Sequence, residues 1–121
     1  MASELRVNTL KDASGNNSIA TSFVAGGSAK AWFNYDQTTP SVEDSFNTSS
    51  ISDDSTGIFT NAFTNNMDNA AWAAGFICRN NRHQFNTNTS ATSGRAWRTA
   101  DGSNNVADGL HNCAICNGDL A

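Results

Sequence analysis

Charge is the first thing this chain is short of. Charged residues make up 15% of its 121 positions, against about 25% in an ordinary globular domain. The balance is acidic, with a formal net charge of −4 and a pI near 4.8. No stripe of Lys and Arg is present to neutralise phosphates, which argues against nucleic acid as a partner. Arg79, Arg82, Arg95 and Arg98 fall close together along the chain and read as solvated loop arginines. Long apolar runs are also missing. None approaches the roughly 18–20 residues that span a bilayer, so no membrane insertion is expected. Met1-Ala2-Ser3-Glu4-Leu5-Arg6 carries no apolar segment of the kind a secretory leader needs. First folding is therefore expected in a cytoplasm, with the three cysteines as free thiols.

Apolar residues are scarce too, at 38%, below the usual 45–50% of a scale that also counts Gly. A disordered chain is poor in apolar residues and rich in net charge, whereas this one is poor in both. What fills the gap is uncharged polarity: Asn, Ser and Thr together supply roughly a third of the residues. With scattered aromatics, that composition points to β structure with many turns. At this length one domain with a single core is expected, part of it completed by neighbouring subunits.

Turn chemistry divides the chain into short strands. In residues 1–25, Leu5, Val7 and Thr9 alternate with Arg6 and Asn8, the period of a strand with one covered face. Residues 11–18 are turn formers throughout. A lone strand does not hold in water, so this leader is expected to dock on another chain. Gly26-Gly27 separates it from a domain over 26–121 that opens with an aromatic strand over residues 29–37, with Trp32 and Phe33 on opposite faces. Thr38-Thr39-Pro40 reads as a turn. A second strand is expected from Val42 to Ile51, a turn over Ser52–Gly57, and a third strand from Ile58 to Thr64 that closes a hairpin. Ala70–Arg79 is the most apolar stretch. Its Ala content also suits a short helix, but Gly75 and its brevity favour a central strand packed on both faces. Residues 80–93 form a long polar loop or exposed strand pair with only Phe85 apolar. Gly94–Thr99 is a strand carrying Trp97, residues 100–105 a turn, and a last strand runs from Val106 or Leu110 to Cys116. Six or seven short strands in this order predict an all-β chain, a small antiparallel sandwich or barrel.

Three segments, taken together, resemble one protein family. They are the leader Leu5-Arg6-Val7-Asn8-Thr9-Leu10-Lys11-Asp12-Ala13-Ser14-Gly15-Asn16, the motif Gly27-Ser28-Ala29-Lys30-Ala31-Trp32, and Asp44-Ser45-Phe46-Asn47-Thr48-Ser49-Ser50-Ile51-Ser52-Asp53 followed by Gly57 and Phe59. In order, they resemble small tail-fibre and structural proteins of marine and cyanobacterial phages, across about half the chain. The resemblance implies a non-enzymatic virion component assembled as a homotrimer in the host cytoplasm. Two locations follow: a short tail fibre or fibre tip that attaches to the host, or a capsid decoration protein. It makes the N-terminal segment, with Leu5, Val7, Leu10 and Ile19, the contact to the virion or to other subunits. A small cellular lectin-like module is a third reading, but it would require a secretion signal.

Chemistry-bearing motifs are thin. Cys113-Ala114-Ile115-Cys116 has the spacing of a zinc or redox pair. On a strand, however, those two thiols point to opposite faces, and a zinc site would need further ligands from Cys78, His83 or His111. Buried thiols acting as small hydrophobes are the simpler reading. His83 and His111 lack any elbow or triad context, and Asp53-Asp54 reads as a turn. No catalytic residue, metal or cofactor is therefore expected. The loops over 80–93 and 101–105 are the candidate contacts for a host surface glycan or protein, through Arg82, His83 and Asn104, with Trp97 as a fourth contact residue. Trp32, Trp72 and Trp97 are expected in the core, with Trp97, between Arg95 and Arg98, the one best placed to reach the surface.

Overall fold

A computed structural model describes residues 3–80, 82–84 and 90–121. It is mostly β, and every strand pairing is antiparallel. After the leader elements β1 (Thr9–Lys11), β2 (Ser18–Ala20) and α1 (Thr21–Gly27), the chain runs through β3 (Ala31–Asp36), β4 (Ser41–Phe46), β5 (Thr48–Ser55) and β6 (Ile58–Phe63). It continues with β7 (Ala73–Arg79), β8 (His83–Gln84), β9 (Gly94–Ala100) and β10 (Leu110–Asn117). One four-stranded sheet has the order β4-β3-β10-β7, the other β5-β6-β9-β8, and β1-β2 form a separate ribbon. Neither four-stranded sheet closes into a barrel.

Aromatic rings supplied by both sheets make the core. Phe33 of β3 meets Phe59 of β6 at 5.9 Å and Trp97 of β9 at 5.7 Å, both edge to face. Phe76 of β7 stacks on Trp97 at 5.3 Å. Trp72 meets Phe63 at 5.3 Å. Perpendicular and offset rings at these distances gain roughly 0.5–1.5 kcal/mol per pair beyond the area they bury. Ala114 and Cys116 of β10 fill the space beside them. The small apolar allotment is thus concentrated in a few large side chains.

A polar side chain ties the sheets at one end. Gln37, just beyond β3, is buried, and its Nε2 donates to Asp53 Oδ1, Ser55 O and Ile58 O at 3.1–3.2 Å. The turn that follows is organised by Asp36. Its carboxylate accepts from the Thr38 N–H at 2.8 Å and from the Thr38 and Thr39 hydroxyls, which hold its pKa below the usual carboxylate value. At residues 38–40 the turn expected from the sequence is present.

Several elements differ from the sequence expectation, each for a physical reason. The strand expected over 42–51 is two strands, broken at Asn47 in a left-handed conformation (φ 53°). Asn tolerates that region. Its side chain secures the corner, donating to Lys30 O and Asn65 O at 3.0 Å and accepting from Asn65 N–H at 2.7 Å. This corner carries the chain from one sheet to the other. The turn over Ser52–Gly57 narrows to Thr56-Gly57, because β5 runs on to Ser55 and Gly57 supplies the positive φ (66°) a tight hairpin needs. β7 is an edge strand, not a central one: Trp72, Phe76 and Cys78 turn inward, while Ala73, Gly75 and Ile77 stay exposed. In the leader, Leu5 and Val7 lie outside any strand. β1 begins only at Thr9, and at its end Asp12 ties off a hairpin turn by accepting from Asn16 N–H and Asn17 Nδ2. Gly26-Gly27 ends a helix that was not expected, closed by Ser28 N–H donating to Val24 O and by the Lys30 ammonium on Ala25 O and Ser28 O. Trp32 is half-exposed on the outer face of its sheet, so two of the three tryptophans, not all, are core.

Three outcomes test this account. Asn47→Ala should lose about 2 kcal/mol in urea unfolding, and Asn47→Gly distinctly less of the conformational part, because Gly keeps the left-handed φ. Gly94→Ala should be more severe still: at φ 152° a Cβ would lie 2.0 Å from the Asn61 carbonyl oxygen of the paired strand, which is backbone and cannot yield. The third concerns pH. Burial pushes the Cys116 thiol from 9.0 to about 11, with the Arg95 charge opposing. The folded state therefore holds that proton more tightly than the unfolded chain. Its contribution is full below about pH 9 and is lost as pH rises towards 11. Between pH 7.5 and 10 the native chain should lose about 1 kcal/mol more than Cys116→Ala, measured by urea unfolding at each pH.

Candidate functional site

The segment with Arg82 and His83 that follows β7 meets the single connection from β9 to β10, residues 101–109, at the end of the sheets marked by the Arg79–Leu110 pairing. Arg82 reaches across this end. Its Nε donates to Asp108 O at 3.2 Å and its Nη1 to Asn80 O at 3.3 Å. His83 opens β8, paired with Ala100 of β9, and its Nε2 lies 3.1 Å from Asn104 Oδ1. Asn104 is held at φ 64° in a turn built on Asp101, whose Oδ1 accepts from the Ser103 and Asn105 N–H groups at 2.8 and 3.0 Å. Those bonds keep the Asp101 carboxyl below its ordinary pKa. The sequence Asp101-Gly102-Ser103-Asn104-Asn105 is thus a self-bonded turn that presents Asn104 to His83.

An open groove of about 450 Å³ lies beside this cluster, lined by Phe76, Ile77, Cys78, Arg82, His83 and Gln84. Cys78 in its wall is half-buried and its thiol is pushed up to about 11, with the Arg82 charge opposing. At neutral pH it is a neutral, weakly polar surface rather than a nucleophile. The groove combines an apolar floor, one cation and amide and imidazole edges. Such a lining offers hydrogen-bond donors and acceptors beside apolar surface.

Of the four contact residues expected from the sequence, the fold brings three together: Arg82, His83 and Asn104. Trp97 is not among them. It is 1% exposed, its Nε1 donates to Asn61 Oδ1 at 2.7 Å, and the Arg95 guanidinium covers its ring at 4.8 Å. Of the flanking arginines that suggested a surface Trp, Arg95 shares the face of Trp97 on β9 and covers the ring of a core Trp, while Arg98 falls on the opposite face. Arg95 and Arg98 accordingly lie in a strand, half-buried, and not in a solvated loop. The rest of the expected contact loop, Asn81 and residues 85–89 with Phe85, lies outside the described residues. Asp101, Asp108 and Phe76 belong to this end of the fold and were not singled out from the sequence. The Asp-Gly-Ser-Asn-Asn pattern alone carried a usable signal, that of an Asx turn.

The four leader residues divide in the same way. Leu10 and Ile19 are direct cross-strand partners in the β1-β2 ribbon, side by side on one face. Leu5 and Val7 precede the ribbon, where the Thr21 hydroxyl donates to Val7 O at 3.1 Å and the Thr21 N–H to Asn8 O at 3.0 Å. All four are exposed, and no residue from 3 to 28 is buried. The thiols of the CxxC segment point apart, Cys116 into the core and Cys113 to the outer face. Among the described residues, no group of three or more His, Cys, Asp or Glu side chains is arranged to hold a metal ion.

No family model matches this chain, and neither the curated proteins nor the solved structures give a significant match.

Proposed function

We propose that this chain is a non-enzymatic structural protein of a phage virion, a short trimeric tail fibre or fibre tip. In this reading residues 26–121 are a β-sandwich, the leader over residues 1–25 joins the subunit to the virion and its copies, and the loop end meets the host surface.

One observation carries the reading: the two candidate contact regions lie at opposite ends of one strand. The leader is rooted where β3 begins, with Lys30 N–H donating to Cys116 O and Asn117 Nδ2 donating to Gly27 O at 3.2 Å. The cluster of Arg82, His83 and Asn104 sits beyond the other end of β10, where Arg82 bonds Asp108. Eight strand residues at about 3.3 Å each hold the two regions roughly 25 Å apart. A subunit that is mounted at one end and makes contact at the other has this polarity. The leader adds to the argument, since Leu5, Val7, Leu10 and Ile19 stay exposed among the described residues. The three-part resemblance to phage structural proteins supplies the setting.

Electron microscopy of the particle with an antibody or gold label on this chain is the test. Label at the tail is expected. Label spread over the capsid lattice would move the protein to decoration, and no label on the particle would end the virion reading. Removing residues 1–25 should leave a cooperatively folding β domain, seen by circular dichroism, that no longer enters particles. Normal incorporation of the truncated chain would overturn the mounting role.

A further inference from the structure

The outer face of the β4-β3-β10-β7 sheet is apolar and bare. Two rows cross all four strands in register. One is Gly75–Ile115–Trp32–Phe46, with no polar side chain; the other is Ile77–Cys113–Asn34–Asp44, apolar over its first half. Ile77 is 71% exposed, and Ile115 and Phe46 are each 55% exposed. Shallow grooves of about 310 and 380 Å³ flank Ile115, both with predominantly apolar linings. In a chain so poor in apolar residues, leaving this many on one face of a sheet is not a by-product of excess.

The leader has the opposite deficit. Its ribbon pairs three residues with three, and two-stranded ribbons of that length do not persist alone in water. Its helix has seven residues, no buried residue and no side-chain cap bond, well short of what an isolated helix needs. Yet Leu10 and Ile19 form an apolar knob on one side of the ribbon, and Phe23 and Val24 are exposed on the helix. A structured segment with nothing behind it requires a surface from elsewhere.

The geometry points to one solution for both: the leader of one copy lies on the outer sheet face of a second copy, with the Leu10–Ile19 knob in the grooves beside Ile115. Area favours this pairing over face against face. Four strands about 4.8 Å apart and roughly 20–26 Å long present on the order of 400 Å², about half the ~800 Å² per partner of a stable interface. A copy that gives its leader and receives another contributes both surfaces to the assembly. Continuity favours it as well, because the leader departs from β3 and β10, the two central strands of this face, and so leaves each subunit at the border of the receiving surface. The inference deepens the proposed role of the leader and rests on it only for the claim that the chain assembles.

Mixed cross-linking reads the contact directly. One full-length chain carries Ile19→Cys; a second, size-tagged full-length chain carries Ile115→Cys; both carry Cys113→Ser. After mixing and treatment with a short bis-maleimide, a product of mixed mass is expected on a denaturing gel, well above the background of either chain alone. A single chain with Ile19→Cys and Ile115→Cys that cross-links only within itself, with no mixed product, would place the leader on its own face and overturn the exchange. In parallel, Ile115→Asp and Ile77→Asp, both at exposed positions, should keep the far-ultraviolet spectrum of the native chain. They should raise the concentration for half-assembly at least tenfold by light scattering. Unchanged assembly in both, in a native chain that is oligomeric, overturns the leader-to-face contact and leaves the virion role standing. A monomeric native chain ends the exchange whatever the particle labelling shows.

Discussion

The edge-to-face contacts of Phe33 with Phe59 and Trp97 are the constraint on which the rest of this molecule depends. With Tyr35 on Phe59 and Phe76 on Trp97, they are the aromatic link between the two sheets. Because a strand alternates its side chains, fixing Phe33 inward sends Trp32 outward, and fixing Ala114 and Cys116 inward sends Cys113 and Ile115 outward. The bare outer face is thus set by the core rather than independently chosen. A one-residue slip of β3 against β10 would exchange the two faces and bury Asn34 in place of Phe33. Gln37 and Asn47 reinforce the register from the two ends of this strand pair, each bonding backbone that belongs to the opposite sheet or its connections.

Much of this was legible in the chain. The aromatic strand, the hairpin about Gly57, the strand with Trp97 and the last strand all appear near their expected places, because turn chemistry and period-two alternation are local properties. What failed was information that is not local. The sheet change at Asn47 is hidden in a polar run, where a corner and a continuing strand have the same composition, and only the amide's bonds to Lys30 and Asn65 distinguish them. The edge position of β7 was concealed by its apolar sequence, which suits a strand covered on both faces; among the described residues its outer face, with Gly75 and Ile77, is exposed. Trp97 was misplaced because neighbouring arginines signal solvent in sequence, whereas in space Arg95 roofs the ring. At the candidate site, Arg82, His83 and Asn104 were legible as loop residues, but their meeting depends on β8 pairing with β9 over a two-residue stretch that no pattern announces.

The scarcity of charge has a consequence for how such a surface recognises anything. With few charges to steer encounter or to desolvate, affinity must come from hydrogen bonds and apolar contact over area. The loop end offers this through amide, imidazole and a single guanidinium beside an apolar floor. The outer sheet face offers area that is apolar around Ile77, Ile115, Trp32 and Phe46. These are different kinds of surface, and they suit different partners: the first a polar and variable one, the second a fixed one such as another copy of the chain.

The leader shows why order and assembly should be one event in this protein. Neither its ribbon nor its helix is long enough to persist alone, so its order costs conformational entropy that, on the proposed contact, the surface of a second copy offsets. If that surface is the sheet face, the leader's order becomes a function of subunit concentration, as any equilibrium that couples folding to binding must. At low concentration the ribbon frays and the outer face stays wet. As copies accumulate, each ordered leader covers a face and offers its own face in turn, so that assembly is self-limiting only when the ring of exchanges closes. A closed ring uses every leader and every face, which leaves the loop ends, all on the far side of β10, as the surfaces still free to meet something else.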